Sequence, residues 1–173
     1  MQTTLIYETH SITTDNEEGR ATGWLPGELS AEGRRLGTEL GERRADVDVV
    51  FSSDLRRAVQ TVEVAGLKML HLQDWRLREC NYGELNGAPA NSLGLRRDWV
   101  DVPFPGGQSY REVLELTESF LADIRRWYAG RRVLVVAHSA NRWSFDHLLG
   151  SRRPLEELVD SPFEWQPGWE YQL

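Results

Sequence analysis

The chain has 173 residues, 40% of them hydrophobic, with seven tryptophans and a net charge of −7. That balance fits one globular domain over residues 1–173 and excludes a disordered chain. It also argues against sequence-independent binding to nucleic acid or to an anionic membrane, because neither gains from an acidic partner. Cys80 is the only cysteine, so no intrachain disulfide can form, which agrees with a reducing compartment. Charged and polar residues follow within a few positions of the N-terminus, and no apolar run approaches the roughly 18 residues of a membrane span. The expectation is a cytoplasmic protein with no membrane partner. Lys68 is the only lysine. Arginine suits planar, bidentate recognition of carboxylate and phosphate, so small anions stay within reach of this acidic chain.

Leu5-Ile6-Tyr7 is a short run of strand formers that stops at His10. This puts His10 at or just past the C-terminal end of a strand, where ligand crevices form in open α/β sheets. The polar segment Asp15 to Gly27 is expected to be irregular but packed down through Trp24. Ser30 reads as a helix N-cap, with Leu36 and Leu40 at helical spacing up to about Arg44. Val47 to Phe51 reads as a second strand, and Ser53 or Asp54 then caps a helix. Backbone N–H groups at such a helix start favour anions. Arg57 in the first turn opposes the macrodipole, which makes more sense if it holds an anion than if it is structural. Arg56 beside it reads as a solvated surface group.

Lys68 to Leu72 reads as a third strand, Leu77 to Gly87 as irregular, Asn91 to Val100 as a short helix and Pro103 to Gly107 as a breaker. Ser109 to Glu112 has capping-box form and opens a long amphipathic helix whose stripe holds Val113, Leu116, Phe120, Ile124 and Trp127. Val133 to Ala137 is again an apolar strand ending in a histidine, His138. A helix follows from about Ala140 to Leu149, and the alternation in Gly168 to Leu173 indicates a closing strand. Strands alternating with helices predict a three-layer α/β/α sandwich on a mainly parallel sheet. No tight His/Cys/Asp cluster calls for a metal. His71 and His147 read as structural or surface positions. Trp143, Trp165 and Trp169 read as core or as a dimer face, which leaves a homodimer open.

Taken in order, the motifs are strand–Thr9-His10-Ser11 with Thr13 and Asn16, Thr22-Gly23-Trp24, Ser53-x-Leu55-x-Arg57-Ala58, Leu77-x-Glu79, Pro105-Gly106-Gly107-Gln108-Ser109 and Ala137-His138-Ser139. This order resembles the histidine phosphatase superfamily, with its phosphoglycerate mutase-like fold, over nearly the whole chain. The resemblance implies that His10 is phosphorylated transiently. It implies Arg57 and His138 as donors to the phosphoryl group, Asn16 as a neutral third donor, and Glu79 as proton donor and then base. Thr9, Ser11, Thr22, Gly23 and Ser139 fall on substrate-binding positions. The partner implied is a small phosphorylated substrate or a phosphate anion, with no cofactor and no metal.

Thr9 stands where the family motif has arginine, and Ser11, Ser139 and Ala140 stand where it has glycine. Losing one charged transition-state donor commonly costs on the order of 10²–10³ in rate. Arg20, Arg56 and Arg142 are the nearest candidates by motif to replace it. Glu8 adds a negative charge that, on a strand, should point to the opposite face from Thr9. The leading expectation is a phosphatase acting on a small phosphomonoester through phospho-His10. A non-catalytic anion-binding member of the fold is the alternative that Thr9 supports. A phosphoglycerate mutase-like phosphotransferase gains from Thr22-Gly23-Trp24 and loses from the short stretch between Glu79 and Pro105. Substrate specificity is expected in the Asn16–Pro26 loop and the Asn81–Phe104 segment.

Overall fold

The computed structural model describes residues 2–162 and 164–173. Its strands are β1 (Thr4–Thr9), β2 (Val49–Ser52), β3 (Leu70–Gln73), β4 (Arg132–Ala137) and β5 (Trp169–Gln172). Its helices are α1 (Thr14–Glu17), α2 (Ala31–Arg43), α3 (Arg56–Ala65), α4 (Tyr110–Trp127), α5 (Ser139–Leu149) and α6 (Leu155–Val159). The sheet order is β3-β2-β4-β1-β5, parallel throughout except for β5, which runs antiparallel to β1. This is the mainly parallel α/β arrangement that the alternating pattern predicts.

The central strand β4 is apolar at every position from Val133 to Ala137, and all five residues are fully buried. A continuous apolar run is what a strand covered on both faces requires. On one face Leu5 and Tyr7 of β1 pack with Val133, Val135, Phe120, Leu121 and Phe145, under α4 and α5. On the other Ile6 packs with Leu40, Val50, Val62, Leu134 and Val136, under α2 and α3. Register does the rest. Thr9 pairs with Ala137, and the His10 amide donates to the Ala137 carbonyl at 3.0 Å. The residues that follow the two strands, His10 and His138, therefore emerge side by side at the same edge.

Local chemistry explains where the elements differ from the sequence expectations. The stretch expected to be irregular from Asp15 overlaps α1, which is capped by a box in which Thr13 and Asn16 bond each other's backbone N–H. Neither Ser53 nor Asp54 caps α3. That helix starts at Arg56, and Leu55 at its cap makes no side-chain cap bond. The Asp54 carboxylate is taken by Arg78 and the Ser53 hydroxyl by His138. Asn91 to Val100 forms two 3₁₀ turns, Ala90–Leu93 and Arg96–Trp99, in place of an α-helix. The Ser109–Glu112 capping box stands as expected at the start of α4. A third apolar cluster, including Cys80, Tyr82, Phe104, Tyr110, Trp143 and Leu158, seats the 80–110 segment on α4, α5 and α6. Trp143 is thus core, whereas Trp165 is exposed. Among the described residues no helix is long and apolar enough to cross a membrane.

Candidate functional site

Two imidazoles define the centre. The rings of His10 and His138 lie 5.1 Å apart, centroid to centroid. Nδ1 of His10 is 2.7 Å from the Ser11 carbonyl oxygen. A carbonyl only accepts, so the proton sits on Nδ1 and Nε2 keeps its lone pair. The Ser11 peptide is fixed in turn by α3. Its N–H donates to Thr61 Oγ1 at 2.9 Å, and that hydroxyl donates to the Arg57 carbonyl at 2.7 Å. Burial first, then the charge of Arg57, pushes His10 down to about 3, and the bond to Ser11 only partly opposes this. The ring is therefore neutral at neutral pH.

His138 is fully buried, and its Nε2 lies 2.6 Å from Ser53 Oγ. Its Nδ1 is buried with no partner among the described residues. Burial, Arg57 and His10, in that order, hold it well below the usual imidazole range. Its backbone is pinned twice: the N–H donates to Asn141 Oδ1 at 3.1 Å, and the carbonyl accepts from the Tyr7 hydroxyl at 2.8 Å. Asn141 also donates to the Arg78 carbonyl at 3.3 Å, so one side chain ties the second histidine to the segment that carries Glu79.

Arg57 is 2% exposed. It donates to two loop carbonyls, Gly23 O at 2.8 Å and Leu25 O at 3.2 Å, and among the described residues meets no carboxylate in an ion pair. Those acceptors are neutral, and Glu79 and Asp15 act on its charge only from a distance. Gly23 has φ +56°, and a Cβ there would lie 1.8 Å from Asn86 Oδ1, so only glycine brings this carbonyl to the guanidinium. Thr22 is buried and donates to Asp15 Oδ2 at 2.8 Å, holding the same loop down.

Glu79 is buried, with Oε1 accepting from the Cys80 N–H at 2.8 Å. Burial raises its pKa, and the amide of Cys80 and the charge of Arg57 offset only part of that. Its backbone carbonyl accepts from Trp24 Nε1 at 2.7 Å, and the Arg78 guanidinium stacks 4.6 Å from the Trp24 ring while gripping Asp54 with two bonds of 2.7 and 2.6 Å. Trp24, Arg78 and Asp54 thus lock Glu79 to the start of α3.

The motif departures are equally definite. Thr9 is half-buried and its Oγ1 lies 3.2 Å from the Tyr7 hydroxyl. Tyr7 spends its proton on His138, so Thr9 donates to Tyr7. Of the three arginines named above, Arg20 pairs with Glu18 and Arg56 with Glu28 and Glu63, whereas Arg142 lies 4.7 Å over the Trp169 ring with its Nε and Nη1 buried and without a hydrogen-bond partner among the described residues. Glu8 points to the opposite face, as alternation requires, where it pairs with Arg43 and Arg44. Asn16 is exposed at the rim, and Ser139 opens α5. The sequence reading gave Ser53 only a capping role and assigned none to Thr61, Tyr7 or Asn141, of which Asn141 carried a local signal in its capping-box spacing from His138.

A parallel α/β sheet with this cleft at its strand ends is of the phosphoglycerate mutase-like class. Residues 9–158 match the model of the histidine phosphatase superfamily, branch 1. The chain belongs to that superfamily. It is 30% identical to phosphoserine phosphatase 1 of Hydrogenobacter thermophilus over 148 residues, covering 78% of this chain and 70% of that protein. It is 37% identical to phosphoglycerate mutase 1 of Saccharomyces cerevisiae, covering 91% and 79%. Among solved structures, Bacillus stearothermophilus YhfR superimposes with a TM-score of 0.83 at 24% identity, over 97% of this chain and 90% of that one.

Proposed function

We propose that the protein is a phosphomonoesterase that works through a phosphohistidine on His10. The observation that carries this reading is the bond from His10 Nδ1 to Ser11 O, which presents a neutral Nε2 lone pair beside His138 and Arg57. In the first step Nε2 attacks phosphorus, the P–O bond to the alcohol breaks, and Glu79 gives its proton to the departing oxygen. Burial, which raises its pKa, favours the protonated form this step needs. In the second step Glu79, now a carboxylate, takes a proton from water as the water oxygen attacks phosphorus. The P–N bond breaks, orthophosphate leaves and both groups return to their starting state.

Arg57 supplies the cation for the phosphoryl oxygens, and His138 Nδ1, without a partner among the described residues, is a further group to bond them. Asn16 at the rim and the hydroxyls of Ser11 and Ser139 complete the polar surroundings, while Thr22 and Gly23 act by holding the loop against Arg57. His10 is only half-buried and Asn16 is exposed, so water has access to the intermediate, which favours hydrolysis over transfer to a second substrate. Kinship to phosphatases and to mutases alike is consistent with this chemistry, since both pass through the first step. The test is orthophosphate release from a panel of phosphomonoesters by wild type, His10→Ala and Glu79→Gln. Release by wild type that His10→Ala abolishes supports the reading; release unchanged by His10→Ala, or none with any ester, refutes it.

A further inference from the structure

Beside His10 lies a cavity of about 550 Å³ whose lining includes Asn16 and Ser139. Thr9, Ser11 and Ser139, three of the four positions at which the chain departs from its family motif, all line it. An arginine at position 9 would put a long charged side chain where Thr9 instead turns back to Tyr7. The departures therefore change one place.

The far side of this space is apolar. Ile12 is 36% exposed and Trp165 58% exposed, and the half-buried Leu36 of α2 joins them in its wall. Three large apolar side chains left open around one space beside a candidate nucleophile are unusual where isolated ones are not. The wall is also held in place. Glu8, 2% exposed at its side chain, takes Arg43 through two bonds of 3.0 and 2.9 Å and Arg44 through one of 2.7 Å. Arg44 then donates to the Pro167 carbonyl at 2.5 Å, anchoring the tail that carries Trp165, whose ring lies 5.9 Å from the Arg43 guanidinium. Glu8 thus links the end of α2 to the C-terminal tail and builds the cavity's wall. Of the two segments expected to set specificity, only Asn16 reaches this space, and no residue between Asn81 and Phe104 does.

We infer that the cavity selects phosphomonoesters of apolar alcohols, with the phosphoryl group against His10 and the hydrocarbon part between Leu36, Ile12 and Trp165. This rests on the phosphomonoesterase reading and names its substrate class. Its volume falls within the range of small-ligand pockets, which bury the organic part on mainly apolar walls.

The test compares 2-phenylethyl phosphate with glycerol 1-phosphate, two primary alkyl esters of similar leaving-group chemistry, in wild type, Leu36→Asn and Trp165→Ala. Wild type should favour the phenylethyl ester by about tenfold or more in kcat/KM, and each variant should remove most of that preference while leaving the glycerol ester within about twofold. Trp165 is exposed on the tail, so its variant stays informative if Leu36→Asn folds poorly. Equal kcat/KM for the two esters, or variants that slow both alike, overturns the inference and leaves the phosphatase reading standing. If neither ester is hydrolysed, calorimetric binding of 2-phenylethylphosphonate against methylphosphonate decides it. Tighter binding of the former, weakened by Trp165→Ala, supports the site without turnover; equal binding overturns it.

Discussion

Replacing Ser53 by alanine removes a single oxygen from the deepest part of the site. In the folded chain that oxygen is 2.6 Å from His138 Nε2, and both residues are fully buried. The other ring nitrogen already has no partner among the described residues. Ser53→Ala therefore leaves both nitrogens of a buried imidazole unsatisfied and lets the proton choose either one. A buried polar group that loses its partner costs about 1–3 kcal/mol. For a chain of this length that corresponds to a fall in Tm of about 2–12 °C. If the same energy is lost in the transition state, kcat/KM falls by about 5- to 160-fold. Thermal denaturation and steady-state hydrolysis of one phosphomonoester measure the two effects, and Ser53→Thr, which keeps the hydroxyl, should lose less of both. Ser53→Ala with unchanged Tm and undiminished kcat/KM would refute the idea that this hydroxyl positions His138.

Glu79→Gln should slow alkyl esters by about 10²–10⁴, and esters with good leaving groups much less, because only the former need the proton. Since the acid form is the active one, wild-type kcat/KM should decline with rising pH as Glu79 ionises, and Glu79→Gln should lack that alkaline limb; an identical limb in both proteins assigns it to another group. His10 refuses a proton down to about 3 whereas the unfolded chain takes one near 6.5. The unfolded state thus binds more protons across that window, so this group makes stability rise with pH from about 3 to 6.5, and His10→Ala should flatten the rise in denaturant titrations. Gly23→Ala forces a left-handed φ of +56° and a contact of 1.8 Å with Asn86, so it should cost more than about 1–2 kcal/mol and weaken phosphate binding through Arg57. Unchanged stability and binding in that variant contradict the assigned role of the loop.

The parts of the molecule most legible in the sequence were those set by local pattern. The apolar runs ending at His10 and His138 have one explanation in a parallel sheet, and the 4-residue spacing of Leu36 and Leu40 marks α2 as a helix, although only Leu40 of the two is buried. The cap of α3 was misread because Ser53 and Asp54 are good capping residues in isolation, yet their partners, His138 and Arg78, lie 85 and 24 residues away. The same holds for Thr61, Asn141 and Tyr7, which look like ordinary helix and strand residues until the sheet brings them to the histidines. Glu8 was legible in direction but not in consequence. Its pairing with α2 and the anchoring of the tail create the cavity wall, and no spacing in the chain announces a contact between position 44 and position 167. Specificity was expected in the Asn16–Pro26 loop and in the Asn81–Phe104 segment, and of the latter Tyr82, Leu93, Val100 and Phe104 belong to an apolar cluster.

The central claim is that His10 carries the phosphoryl group between ester and water. Rapid-quench intact-mass measurement of wild type mixed with a phosphomonoester, followed by fragmentation under neutral conditions, addresses it directly. The account predicts a transient gain of one phosphoryl group located on His10, larger in Glu79→Gln with a good leaving group because deprotonation of water is slowed, and absent in His10→Ala. Steady release of phosphate with no adduct at any quench time, or an adduct on another residue, would contradict it.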